Sequence, residues 1–147
     1  MERTCVIVKP DGVGKKVVGA VITRFENEGL KLVAMKLVRP GRAIMEQFYA
    51  VHTGKPFFEP FMSFVNSGPL VVTVWEAGDA VTKVRGIIGA TNSREAAPGT
   101  LRGQYGTDNR RNLVHASDST ENAQKEISFF FAQEDILSYE YTDWEKA

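Results

Sequence analysis

The chain has 147 residues, 43% hydrophobic and 24% charged, enough for one domain spanning 1–147 and too few to expect two. Eighteen Lys and Arg balance eighteen Asp and Glu, which argues against a nucleic-acid surface, normally marked by a clear basic excess. No apolar run approaches membrane-spanning length, and the start "MERTCVIV" lacks the basic region and long apolar stretch of a signal peptide, so a cytoplasmic location is expected.

The first element is "TCVIV", residues 4–8, an apolar, β-branched run that reads as a buried strand. It holds the single cysteine, Cys5, which has no intrachain partner and reads as a buried thiol. The strand runs into "KPDGVGKK", which looks at first like a phosphate loop. The spacing fails: a P-loop needs G-x-x-x-x-G-K-[ST], but Lys9 stands five before Gly14 and Lys16 follows Lys15. The dinucleotide fingerprint fails too, because Val17 occupies the place of its third glycine. Any phosphate chemistry must rest on other residues.

Apolar positions 17, 18, 21, 22 and 25 recur at helical spacing, with Gly29 as a stop. "LKLVAMKLV", 30–38, reads as a second strand, broken by Pro40 and Gly41, and 43–52 read as helical. "KPFFEPF" opens a short helix that ends near "NSGP", 66–69, and "LVVTVW", 70–75, is the clearest strand. A helix over about 79–88 follows. From Gly89 to Arg111 no periodicity is found, yet the stretch carries Arg94, Arg102, Arg110 and Arg111, and irregular segments of this length are usually functional or disordered. "NLVHAS" reads as a short strand holding His115, and Asp118 and Glu121 are spaced like a capping box. Ala123, Ile127, Phe130 and Phe131 form the stripe of a last helix, and the aromatics of "SYEYTDWEKA" are expected to pack on something. Strands alternating with helices fit either a parallel α/β sheet or a split β-α-β-β-α-β unit with an antiparallel sheet.

His115 ends a strand beside short polar residues, Asn112, Ser117 and Asp118. Glu126 borders the buried face of the following helix, from where it can hold an imidazole in one tautomer. The arginines just upstream are the cations an anionic substrate would need. His52, at helical spacing from Tyr49 in a surface-like run, reads as structural.

Five motifs in order make the chain recognisable: "ERTCVIVKPDGV", "KPFF" at 55–58, "SGPLVVTVWE" at 67–76, "GATNSREAAPGTLRG" at 89–103 and "NLVHASDS" at 112–119. From Glu2 to about Phe131 the sequence resembles nucleoside diphosphate kinase. The resemblance implies an α+β, ferredoxin-like β-α-β-β-α-β fold with a four-stranded antiparallel sheet covered by helices. It also implies transfer of the γ-phosphate of a nucleoside triphosphate to a nucleoside diphosphate by a ping-pong route. In that scheme His115 is the nucleophile and becomes phosphorylated. Imidazole suits the role, being largely neutral near pH 7 with a reference pKa of about 6.5.

By the same resemblance Arg85, Arg102 and Thr91 hold the phosphates, and Tyr49 reaches the transferred group. Lys9 and Asn112 bind the ribose hydroxyls and nearby phosphates, Phe57 stacks on the base, and Ser117 and Glu126 orient the imidazole. Mg2+ travels on the nucleotide phosphates without a direct protein ligand. The glycines after Lys9 are expected only to turn the chain. A homo-oligomer is implied, the hexamer favoured over the tetramer, with the aromatic residues of 139–144 as apolar surface to be covered.

Competing readings remain for single residues: an exposed helical position for Arg85, a structural ion pair for Arg102, ordinary core packing for Tyr49 and Phe57. Ala116 stands where the family often has glycine, Ser93 where proline is common, and Gln104 where an acid is frequent. A catalytically silent nucleotide binder and a phosphocarrier histidine protein are the alternatives from other classes.

Overall fold

The computed structural model describes residues 1–147. Its strands are β1 (Glu2–Val8), β2 (Lys31–Val38), β3 (Leu70–Ala77) and β4 (Val114–Ala116). Its helices are α1 (Pro10–Gly14), α2 (Val18–Asn27), α3 (Arg42–Phe48), α4 (Phe58–Val65), α5 (Ala80–Ile88), α6 (Leu101–Tyr105) and α7 (Thr120–Phe130). The sheet has four strands in the order β2-β3-β1-β4, and every neighbouring pair is antiparallel. That excludes the parallel arrangement and gives the ferredoxin-like sheet.

Both faces of the sheet are covered, which is why β1 reads as an unbroken apolar run rather than an alternating one. Alternation along the strand still sorts its side chains. Val6 and Val8 point into a core with Val21 and Phe25 of α2, Val84, Ile87 and Ile88 of α5, and Trp75 of β3. Cys5 and Ile7 point the other way, into a core with Met45 of α3, Met62 and Val65 of α4, and Ala123, Ile127 and Phe130 of α7. Phe25 and Trp75 meet edge to face at 5.2 Å in the first core. Truncating either to alanine would cost about 3–5 kcal/mol.

The register carries this sorting to the functional strand. Val6 pairs with Ala116 and Val8 with Val114, so Val114 and Ala116 join the α2/α5 core. His115, between them, faces the opposite side, beneath α3, α4 and α7.

Several local expectations need correction. Residues 10–14 form a short helix with Pro10 at its first position, where a missing N–H costs nothing. Gly12 does not turn the chain. A Cβ there would lie 2.6 Å from Val8 Cγ1 and 3.0 Å from Leu113 Cδ1, so glycine lets α1 lie against β1 and the entry to β4. The 43–52 helix breaks at Phe48, and Ala50–His52 continue as a 3-10 turn.

The stretch 89–111 is not wholly irregular, since Thr100 caps α6 by accepting from Gly103 N at 3.1 Å. Gly89 ends α5 at φ +87°, a conformation natural only to glycine. The cap of α7 is Ser119, whose Oγ accepts from Asn122 N at 3.1 Å, and not an Asp118–Glu121 box. Asp118 sits one residue outside and accepts from Asn122 Nδ2 instead.

The tail behaves in two ways. Leu137 N donates to Val33 O at 2.9 Å, and Lys31 places its ammonium 4.3 Å from the Tyr139 ring, so this part packs along the edge strand β2. Tyr141 and Trp144 stay 65% and 74% exposed. No helix is long and apolar enough to cross a membrane.

Candidate active site

β4 delivers His115 and then Ser117, and both are tied to the helix that follows. Ser117 is fully buried: its Oγ accepts from Cys5 N at 3.1 Å and donates to Glu126 Oε1 at 2.7 Å. The other oxygen, Glu126 Oε2, lies 3.0 Å from His115 Nε2. The N–H of that nitrogen is not aimed along the line, so the contact is electrostatic rather than a directed hydrogen bond. Nε2 is enclosed, and Nδ1, on the other edge of the ring, has no partner and keeps access to solvent. Tyr49 is buried and meets the imidazole edge to face at 5.9 Å. Burial first, then the Glu126 carboxylate, raise its phenol pKa, so it stays protonated.

The second cluster lies where β1 ends. Alternation sends Lys9 to the same face as Ile7, and its Nζ reaches Asn112 Oδ1 at 2.6 Å with the rings of Phe61 and Phe64 5.5 and 5.8 Å away. Asn112 is 3% exposed and its Nδ2 donates to Thr91 O at 2.9 Å, making this one amide the joint between Lys9 and the arginine-bearing loop. Lys9 is buried, and its pKa is lowered to about 8, mainly by burial and then by Arg102, with Asp11 opposing. Asp11 has a role the sequence reading did not assign. Its Oδ2 accepts from Leu113 N at 2.9 Å and holds that residue at φ +78°, a strained conformation for leucine that aims the chain into β4.

Arg102 is buried but is not in an ion pair. Nε donates to Asn112 O at 3.1 Å, Nη1 to Gly89 O at 3.0 Å and Nη2 to Val114 O at 2.8 Å. The guanidinium thus staples both ends of the 89–111 segment to β4, and two of its five N–H groups are left over. Burial and then Arg85 lower its pKa to about 10. Arg85 itself is exposed on α5, with one long contact of 3.5 Å to Ala116 O. Thr91 is exposed, and only its backbone carbonyl takes part in the described network.

Phe57 lies apart from both clusters, 45% exposed at the start of α4. It is joined to them through other rings. His52 meets it edge to face at 5.3 Å and stacks on Tyr49 at 6.2 Å, and Phe61 lies 4.6 Å from Tyr49. His52 therefore packs within the aromatic arm rather than standing free on the surface. Its pKa is lowered by partial burial, then by Lys55 and His115. Spacing from Tyr49 was the available signal, since the 3-10 turn keeps both rings on one side.

No group of three or more His, Cys, Asp or Glu is placed to hold a metal. Glu126, the carboxylate beside His115, is occupied by Ser117 and the imidazole.

A ferredoxin-like domain with a carboxylate-backed histidine, a buried lysine and a buried arginine has the parts of an enzyme that passes phosphoryl groups through histidine. The family model described as nucleoside diphosphate kinase matches residues 2–136. Among curated relatives, the nucleoside diphosphate kinase of Carboxydothermus hydrogenoformans is 51% identical over 97% of this chain and 95% of its own length. That of Saccharomyces cerevisiae is 49% identical over 95% of this chain and 91% of its own. Among solved structures, a halophilic nucleoside diphosphate kinase from Halobacterium salinarum in complex with CDP matches at a TM-score of 0.92 with 42% identity, over 99% and 96% of the two chains. The Aquifex aeolicus enzyme matches at 0.90 with 45% identity, over 92% of this chain and 99% of that one.

The chain belongs to the nucleoside diphosphate kinase family. It is a phosphotransferase that moves the γ-phosphate of a nucleoside triphosphate to a nucleoside diphosphate through a phosphohistidine intermediate. The family takes magnesium with its nucleotide and works as an oligomer.

Proposed function

We propose that His115 is the histidine phosphorylated, and that Nδ1 is its attacking atom. The observation that carries this reading is the asymmetry of the ring, Nε2 enclosed 3.0 Å from Glu126 Oε2 and Nδ1 open and unpartnered. With the proton on Nε2, the Nδ1 lone pair attacks the γ-phosphorus, the bond to the bridging oxygen breaks, and the diphosphate leaves. Positive charge builds on the imidazole as the N–P bond forms, and the Glu126 carboxylate offsets it. An incoming diphosphate oxygen then takes the phosphoryl group back by the reverse steps. Such transfer needs positioning and charge neutralisation more than covalent help, so no separate base is required.

Lys9, Arg85, Arg102 and Thr91 hold phosphates in this scheme, Asn112 and Lys9 reach the ribose, Tyr49 reaches the transferred group, and Phe57 carries the base. Ser117 fixes Glu126. Magnesium arrives as part of the substrate on the nucleotide phosphates, neutralising charge there, and Lys9 and the arginines supply the remaining cations. The whole chain, 1–147, works as one unit in the cytoplasm. We favour a hexamer over a tetramer. Exposed Met35 and Leu37 on edge strand β2, with Tyr141 and Trp144 beyond it, support burial against other copies.

The test is transfer of label from γ-labelled ATP with magnesium to the protein in the absence of acceptor. Acid-labile, base-stable label discharged by a nucleoside diphosphate is the expected result. His115→Asn is expected to bind nucleotide and take no label. Label surviving in that variant would move the nucleophile elsewhere. Label that a diphosphate cannot remove would favour a phosphocarrier, and nucleotide binding without any label a silent binder.

A further inference from the structure

The His115 ring has no directed hydrogen bond at either nitrogen, so packing must hold its tilt. One neighbour supplying it is Phe48, the last residue of α3, whose ring is 5.5 Å from the imidazole at an interplanar angle of 73°. Tyr49 closes another side at 85°. Both aromatics stand nearly perpendicular to the imidazole, the arrangement aromatic quadrupoles favour. Phe48 is in turn held by Tyr49 at 4.8 Å and by Phe129 and Phe130 of α7 at 5.2 Å each. α7 also carries Glu126, so one helix controls both the ion partner of the imidazole and the ring that bears on it.

We propose that Phe48 is a positioning residue for the phosphoryl transfer, setting the tilt of the His115 imidazole so that Nδ1 meets the γ-phosphorus. The inference rests on His115 being the nucleophile. Phe48 acts through the imidazole and not through the nucleotide. Its loss leaves nucleotide binding intact and lets the imidazole swing about its own axis while Glu126 still faces it. In-line attack is steep in geometry: a misplacement of a full ångström costs about a hundredfold, and a tilt should cost less.

The experiment is rapid-quench measurement of self-phosphorylation by γ-labelled ATP and magnesium for wild type, Phe48→Leu and Phe48→Tyr. Phe48→Leu is expected to lose about tenfold in the rate at saturating ATP, with the half-saturating concentration unchanged within about twofold. Phe48→Tyr, which keeps the ring, is expected to phosphorylate at the wild-type rate. If the leucine variant melts below the assay temperature, Phe48→Met replaces it as a flexible side chain of similar volume, with the same expectation. A folded leucine or methionine variant at wild-type rate overturns the proposal. So does a tyrosine variant as slow as leucine, or a rate loss matched by an equal rise in half-saturation. Failure of wild type to label His115 would instead defeat the reading of the nucleophile.

Discussion

At the sheet end of the site, Lys9, Asn112 and Ser117 are at most 5% exposed and each is hydrogen-bonded, whereas on the helical arm Phe57 is 45% exposed and His52 Nδ1 has no partner. The sheet end is joined by polar contacts such as Lys9 Nζ–Asn112 Oδ1 at 2.6 Å and Ser117 Oγ–Glu126 Oε1 at 2.7 Å. The arm is joined by ring contacts of 4.6–6.5 Å among Tyr49, His52, Phe57 and Phe61. Hydrogen bonds fix atoms in place and suit a polyphosphate, which donor and acceptor nucleotides share. Aromatic faces accept any flat base without reading its edges. If the proposed roles hold, this division of labour predicts strictness about phosphorus and weak discrimination among bases.

The sharpest way to break this comparison is at Glu126. Glu126→Gln keeps the shape but removes the negative charge beside His115 Nε2 and leaves Ser117 facing an amide. Turnover should fall by up to about 100-fold, the scale on which general acid–base sites depend on placement, with KM little changed. Stopped-flow turnover equal to wild type would make Glu126 a helix-face residue only, and the polar end would lose its claim to strictness.

The arm predicts a smaller loss of a different shape. Phe57→Ala should cost about 1–3 kcal/mol of stacking and should do so alike for adenine, guanine, cytosine and uracil nucleotides. The measurement is kcat/KM for four triphosphates on both proteins. A loss confined to one base would mean that the arm reads edges, which its apolar contacts give no means to do.

How much was legible in the sequence follows the same division. His115, Lys9, Asn112 and Ser117 stand on or beside strands, and the alternation of a short apolar run already implies which neighbours share a face. What alternation could not choose was strand direction, because helices cover both faces and erase the polar side of the pattern. Arg102 was visible as a cation in a loop, but its three backbone carbonyl partners come from residues 89, 112 and 114, and no local pattern encodes them. Asp11 was hidden for the same reason, its partner Leu113 being far along the chain. The ring contacts of Phe48 with His115 and of His52 with Phe57 join separate elements, so no local pattern encodes them. The α7 cap was misplaced by one residue because Asp118 and Ser119 are both good caps and only the backbone decides between them.

The smallest effect near neutral pH, and the one that tests how dry the sheet end is, comes from Lys9. Its pKa of about 8, against an ordinary 10.5, is lowered chiefly by burial. Below about 8 the lysine is charged whether the chain is folded or not, and the fold carries the cost of burying that charge. Between about 8 and 10.5 the folded protein gives up the proton first, so Lys9 makes stability rise with pH across that window. Function moves the opposite way, because the neutral amine cannot attract phosphate. Since kcat/KM reports groups of the free enzyme, it should fall as pH passes about 8, to about half its plateau at the midpoint. Bound nucleotide favours the ammonium, so the corresponding limb in kcat should lie at higher pH. Adenine and cytosine nucleotides are the substrates of choice, because their bases do not ionise between pH 7 and 10. Lys9→Gln should show a lower plateau without that limb. A wild-type midpoint near 10 would mean that water reaches Lys9, and that the sheet end is no drier than the arm.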